Sequence, residues 1–209
     1  MINHEGVAGL EQMKWAQQNV DQVTYDVQIP FIRMFAGPLD YTQGSMRNAT
    51  RRNYRPVNSE PMSQGTRCRQ LAEYVIFEAP LTMLCDAPTS YMAEPECLKW
   101  MAAIPTVWDQ TVALDGRIGD YAAIARSKGG SWYVGAMTDW EARDLEIDLG
   151  AFLADGTYRV EIFRDGPNAD RTARDYVHEN KTVTVSSSNR SMTIHMAPGG
   201  GWTARFTRQ

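Results

Sequence analysis

Two textures divide the chain. Up to about residue 105, apolar positions recur at helical spacing or gather in short continuous runs, and beyond it they alternate with polar ones. In the segment 65–80, GTRCRQLAEYVIFEAP, Leu71, Tyr74, Val75 and Glu78 fall at helical spacing. Ile76 and Phe77 widen that apolar face, which predicts a well-buried helix closed by Pro80. LTMLCDAP (81–88) predicts a short buried strand ending at Asp86. EPECLKWMAAIP (94–105) predicts a second helix, with Pro95 in its first turn and Pro105 past its end. QIPFIRMFAGPLDYTQG (28–44) predicts an apolar element, then the Gly37–Pro38 break, then a loop carrying Asp40 and Tyr41.

The second texture is a succession of short runs: TVWDQTVAL, DYAAIARSK, SWYVGAMT, DLEIDLG, TYRVEIFRDG, KTVTVSS, SMTIHMAP and WTARFTRQ. Each is rich in β-branched and aromatic residues, and Gly, Asp, Asn or Ser fills the gaps. Such spacing predicts an antiparallel β-sandwich of about eight strands, complete in about 100 residues. Within DLEIDLG, Leu145, Ile147 and Leu149 should face one way and Glu146 and Asp148 the other.

The 209 residues allow one large domain or two small ones, and the change of texture divides them into residues 1–104 and 105–209. The first part holds too few strands to close a parallel sheet, so the chain is expected to be the tail of something longer. At 43% apolar residues a sizeable core is possible, and a net charge of −4 gives no general reason to expect nucleic acid. The basic cluster of Arg47, Arg51, Arg52 and Arg55 reads as a solvated loop in preference to a polyanion site. Three cysteines without a CxxC pair argue against a disulfide framework and against structural zinc. Cys68 and Cys85 are expected to be buried thiols. The start MINHEGVAG has no signal-peptide pattern, and the sequence has no apolar run of the 18 residues a membrane helix needs.

The candidate chemistry lies near the start, in NHEGVAGLE (3–11). Gly6 and Gly9 suit a loop that bends back, with Glu5 and Glu11 pointing at one place, and loops of this kind commonly carry sites. Spacing alone favours two solvated acids. Asp40 and Tyr41 read equally well as substrate neighbours or as a brace for the loop after Gly37–Pro38, and Asp86 as a structural salt bridge. His4 could reach the site beside Glu5, whereas His178 and His195, on sandwich strands, read as ordinary surface or edge residues. For Trp132, Tyr133, Trp140 and Trp202, core packing is favoured over a sugar-stacking platform.

Several segments together resemble the C-terminal end of glycoside hydrolase family 97, bacterial α-glucosidases and α-galactosidases of which many depend on calcium. They are NHEGVAGLE, PFIRMFAGPLDYTQG, TRCRQLAEYVIFEAPLTMLCDAP, IARSKGGSWYVGAMTD and GGGWTAR, with GPLDYTQG the closest to a family signature. The resemblance implies the last part of a (β/α)8 barrel followed by an antiparallel β-sandwich. It implies that Glu11 is the general acid of an exo-acting glycosidase and that Glu5 and Glu11 are Ca²⁺ ligands. The substrate would be an oligosaccharide or other α-glycoside, with no nucleic-acid or membrane partner. The parent enzyme would be periplasmic or extracellular. The second carboxylate lies on earlier barrel strands in the family, so this chain is expected to hold half of a two-carboxylate site and to be inactive alone. An unfinished barrel leaves apolar surface bare, so self-association is expected. The other reading is a non-catalytic sandwich that binds carbohydrate or braces a neighbouring domain.

Overall fold

The computed structural model describes residues 6–14 and 20–209. The first half is built of short pieces. They are α1 (Gln22–Asp26), α2 (Ile29–Ile32), β1 (Thr42–Gln43), β2 (Asn48–Ala49), β3 (Ser63–Gln64), α3 (Arg67–Ile76), β4 (Met83–Leu84), α4 (Pro88–Met92) and α5 (Pro95–Ala103), with a 3-10 turn at Leu10–Lys14. β1 pairs in parallel with β4, and β2 in parallel with β3. The longer strands follow: β5 (Gln110–Arg117), β6 (Tyr121–Lys128), β7 (Ser131–Thr138), β8 (Arg143–Asp148), β9 (Gly156–Asp165), β10 (Tyr176–Val185), β11 (Ser191–Met196) and β12 (Gly201–Arg208).

Every one of the eight alternating runs becomes a strand. Six of them form one antiparallel sheet in the order β10-β9-β12-β7-β6-β5, and β8 and β11 pair separately. The alternation in β8 works as read: Leu145 and Ile147 are buried, and Glu146 and Asp148 exposed. β10 begins five residues earlier than its apolar run, because Tyr176–Asn180 still pair with β9 despite their polar side chains.

The two layers are unequal, which the sequence did not announce. The β8–β11 pair covers one face of the large sheet, enclosing Val134, Ala136, Leu145, Ile147, Ile162 and Ile194. Helix α3, from the first half, lies on the other face, against β7 and β12. Two glycines make that approach possible. A Cβ on Gly135 would stand 2.7 Å from the Ala72 carbonyl oxygen, and one on Gly201 would stand 2.4 Å from Arg69 Cα.

Helix α3 is shorter than predicted, ending at Phe77, whose extended backbone stops it before Pro80 is reached. Thr66 caps it by accepting the Arg69 amide at 3.1 Å. It is buried nearly all round, as its wide apolar face implied, but it also buries Arg67, Arg69 and Glu73. α5 runs between its two prolines as expected. The strand expected at 81–88 is a correction. Only Met83 and Leu84 are extended, both are exposed, and β1 is the one strand beside them among the described residues. Cys85 is half-buried where a buried thiol was expected, whereas Cys68 and Cys97 are buried free thiols.

Candidate active site

Glu11 lies in the 3-10 turn Leu10–Lys14, not in an open loop, because the Gln12 amide folds back to donate to the Gly9 carbonyl at 3.3 Å. Leu10 and Met13 of the same turn are buried and anchor it in the core. The preceding loop is gripped at one residue. The Ala8 amide donates to the Tyr25 hydroxyl at 2.9 Å, and the Ala8 carbonyl accepts from the Gln22 side-chain amide at 2.8 Å. On the other side, the Tyr54 hydroxyl donates to the Met13 carbonyl at 2.7 Å. The backbone that carries Glu11 is therefore held before and after the residue.

The Glu11 carboxyl folds back over Gly9, so closely that a Cβ on Gly9 would come within 2.2 Å of Glu11 Oε2 and 2.8 Å of the Thr42 amide. Only glycine leaves room for the acid there. Glu11 Oε2 is itself buried and has no hydrogen-bond partner among the described residues. A buried acceptor without a donor is costly, on the order of 1–3 kcal/mol, and this oxygen is able to accept from a ligand or a water. Glu5 and His4 lie outside the described residues. Among the described residues no group of three or more His, Cys, Asp or Glu side chains is arranged to hold a metal ion.

Below the Glu11 turn lies a polar network that sequence reasoning missed. Gln22, which holds Ala8, also donates to Asp26 Oδ1 at 2.9 Å, and the Tyr41 hydroxyl donates to the same oxygen at 3.0 Å. Arg69 reaches Asp26 Oδ2 at 3.4 Å and donates to the carbonyls of Val23 and Thr138 at 3.0 and 3.2 Å. Its Nε lies 3.3 Å from Glu73 Oε1. Desolvation pushes Asp26 up to about 6 against the pull of the Arg69 charge. Burial and the nearby Asp26 carboxyl push Glu73 well above the carboxylate range. Both effects push Glu73 toward its neutral form, which leaves Asp26 the better charge partner of Arg69. The available signal was the Arg69/Glu73 pair, four residues apart on a helix already read as buried.

Tyr41 is thus a buried structural residue, packed at a tilt of 53° against Phe77 with ring centroids 4.7 Å apart. The loop after Gly37–Pro38 is braced from elsewhere. The Leu39 amide donates to the Glu78 carbonyl at 2.9 Å, and the Arg33 guanidinium donates to the Gly37 and Pro38 carbonyls. Asp40 is half-buried. Asp86 makes the expected salt bridge, to Arg47 at 2.8 Å. Trp202 and Tyr133 are core residues, and Trp132 packs on Phe152. His178 lies on the edge strand β10, as read, but does more than an ordinary edge residue. It stacks on Phe163 at 4.1 Å and bridges Glu96 and Glu161 at 2.6 and 3.2 Å, tying α5 to the sheet. His195 is an exposed strand residue paired with Asp144.

Residues 107–207 match the family model described as glycosyl-hydrolase 97 C-terminal, oligomerisation. The chain is 56% identical over 99% of its length to a retaining alpha-galactosidase of Bacteroides thetaiotaomicron, of which it covers 30%. It is 28% identical over 92% of its length to a probable retaining alpha-galactosidase of Streptomyces bingchenggensis, covering 29% of that protein. Its structure superposes on a glycoside hydrolase family 97 enzyme from Pseudoalteromonas sp. strain K8, solved in complex with acarbose. The TM-score is 0.85 at 32% identity, over 100% of this chain and 32% of that one. The residues matched to the C-terminal domain of that family are those of the antiparallel, sheet-rich sandwich. The chain belongs to glycoside hydrolase family 97. It spans about 30% of the length of the curated relatives it matches.

Proposed function

We propose that this chain is the C-terminal portion of an exo-acting retaining α-glycosidase, an α-galactosidase in preference to an α-glucosidase, and that Glu11 is its general acid/base. The observation that carries the reading is the buried Glu11 Oε2, without a hydrogen-bond partner among the described residues, on a turn fixed from both sides. The 56% identity to a protein named a retaining alpha-galactosidase supports the choice of sugar and of stereochemistry. In a retaining reaction Glu11 would protonate the leaving glycosidic oxygen, then take a proton from the water that releases the sugar. The nucleophilic carboxylate would stand about 5–5.5 Å away and come from a segment outside this sequence. On this reading the isolated chain holds half of the pair and hydrolyses nothing.

Residues 1–104 would be the last part of the (β/α)8 barrel and residues 105–209 the sandwich. The parallel pairing of β1 with β4, with α3 between them, and of β2 with β3 supports the barrel part. Calcium is a weaker proposal. The ion takes six to eight oxygens, and among the described residues no group of three or more His, Cys, Asp or Glu side chains gathers around Glu11. They do not build a calcium site by themselves, so Glu5 and Glu11 are proposed as this chain's contribution only, and no step runs through the ion. Export to the periplasm or the exterior is proposed from the family resemblance alone.

The test is hydrolysis of p-nitrophenyl α-galactoside and α-glucoside, with calcium and with chelator. It is made on this chain, on Glu11→Gln, and on each mixed with the preceding two thirds of the Bacteroides relative. The expected result is no turnover alone, galactoside turnover in the mixture, and loss of roughly 10²–10⁴-fold in the variant. Added azide should restore part of the loss by replacing water in the second step. An unchanged variant would remove Glu11 from the chemistry. A second reading, a bracing and assembly module, is favoured by the oligomerisation description of the matched family model.

A further inference from the structure

The turn at Thr50–Asn53 meets the sandwich along a cleft of about 430 Å³, lined by Thr50, Arg51, Arg52, Trp140, Asp170 and Arg171. That is the size range of small-molecule sites, about 300–1,000 Å³. The walls are fastened together, since the Asn53 side chain donates to the Arg171 carbonyl at 3.2 Å. Trp140 is fixed in its plane. Its indole N–H donates to Asp21 at 2.8 Å, and its six-membered ring lies so near Gly199 that a Cβ there would stand 2.6 Å from Cζ3. The indole is half-exposed, leaving part of it to the cleft.

The charge here runs against that of the molecule. Three guanidinium groups and one carboxylate line the cleft of a chain whose net charge is −4. None of the three is strongly engaged. Arg51 lies over the Trp140 ring, 5.8 Å from its centroid, and 3.8 Å from Asp21, with its side chain 70% exposed, so a sugar ring stacked on the indole displaces it. Arg171 lies 3.6 Å from the neighbouring Asp170 and is 84% exposed. Arg52 is exposed and makes no ion pair among the described residues.

We propose that this cleft binds an anionic saccharide. The fixed indole takes the apolar face of a pyranose ring, and the guanidinium forks take its carboxylate or sulfate. A neutral sugar leaves the guanidinium groups unused, and a bare inorganic anion leaves the indole unused. The site is separate from the chemistry proposed for Glu11.

The test titrates the intact chain with digalacturonate, neutral galactobiose and sodium sulfate at constant ionic strength. Calorimetry gives the affinity, and the indole N–H resonances report on Trp140. Digalacturonate should bind at least about tenfold more tightly than either other ligand. Arg52→Ala with Arg171→Ala, both exposed and safe for folding, should abolish the preference, and Trp140→Phe should weaken binding with the circular dichroism unchanged. Equal affinity for galactobiose, equal affinity for sulfate, no binding, or indifference to the arginine substitutions would each overturn the proposal.

Discussion

The Thr66 hydroxyl donates to Asp165 Oδ1 at 2.6 Å, joining the first turn of α3 to the end of β9. The same Thr66 oxygen accepts the Arg69 amide, and Asp165 Oδ2 accepts the amides of Ala197 and Gly201 at 2.9 and 3.0 Å. One carboxylate thus holds a helix start, a strand end and the approach to β12. Thr66→Ala removes the cap and one of the donors to Asp165, and should cost about 2–3 kcal/mol in urea unfolding. Thr66→Ser, which keeps both bonds, should stay within about 0.5 kcal/mol of the parent.

Burial pushes both Asp165 and Asp26 up to about 6, from 3.8. A carboxyl with a raised folded pKa binds its proton more tightly in the native state than in the unfolded one. Its contribution to stability is complete below pH 3.8 and is lost as pH rises to about 6. Each group should therefore make stability fall by about 1.4 kcal/mol per pH unit across that window. Asp109 and Asp148, lowered by Lys128 and Arg190, act in the opposite sense but are fully exposed. Unfolding midpoints measured from pH 4 to pH 7 should fall less steeply in Asp165→Asn than in the parent. Parallel curves would refute the assignment.

Arg69 and Glu73 touch each other but should respond very differently to substitution. Arg69→Met leaves the Asp26 charge buried without its cation and should cost about 3–5 kcal/mol. Glu73→Gln replaces a carboxyl that burial pushes toward its neutral form, and should cost under about 1.5 kcal/mol. Thermal melts of the two variants side by side decide it, and equal losses would mean Glu73 is ionised.

Gly201 and Gly135 are required by contact rather than by backbone conformation. Alanine at either should cost about 1–3 kcal/mol by lifting α3 from the sheet. Alanine at Gly119, where nothing lies within 4 Å but φ is +83°, should cost only about 1 kcal/mol. Near-ultraviolet circular dichroism should change in the first two and not in the third.

Phe35 is 94% exposed, Leu81 64%, Ile32 and Met92 61% and Ile118 55%. So much bare apolar surface should drive the isolated chain to associate, in line with the oligomerisation description of its family model. Light scattering at rising concentration should show a growing mass. A clean monomer throughout would count against the partial-barrel reading.

The strands were legible because each alternates and each gap carries a turn residue, as Leu145, Ile147 and Leu149 illustrate. The 6+2 division was not legible, since alternation says which face is buried but not what buries it. Gly135 and Gly201 in mid-sheet were the trace of the helix, readable only once the pairing of β12 with β7 is known. The Glu11 loop was visible as a glycine-spaced pair of acids, but its supports Gln22, Tyr25 and Tyr54 are distant in sequence. Asp26 and Arg69 were invisible for the same reason: a charged residue gives no sign, one sequence at a time, that its partner lies 43 residues away.

β12 follows every other strand in the sequence, yet it sits third in the sheet, between β9 and β7. A ribosome must deliver Gly201–Arg208 before the two halves of that sheet can meet. Until then β7 and β9 each present an open edge, with the apolar residues of both faces unshielded. Between the making of β9 and that of β12 the nascent chain is thus exposed to mispairing, and a truncation just before Gly201 would leave a split sheet in place of a slightly shorter one.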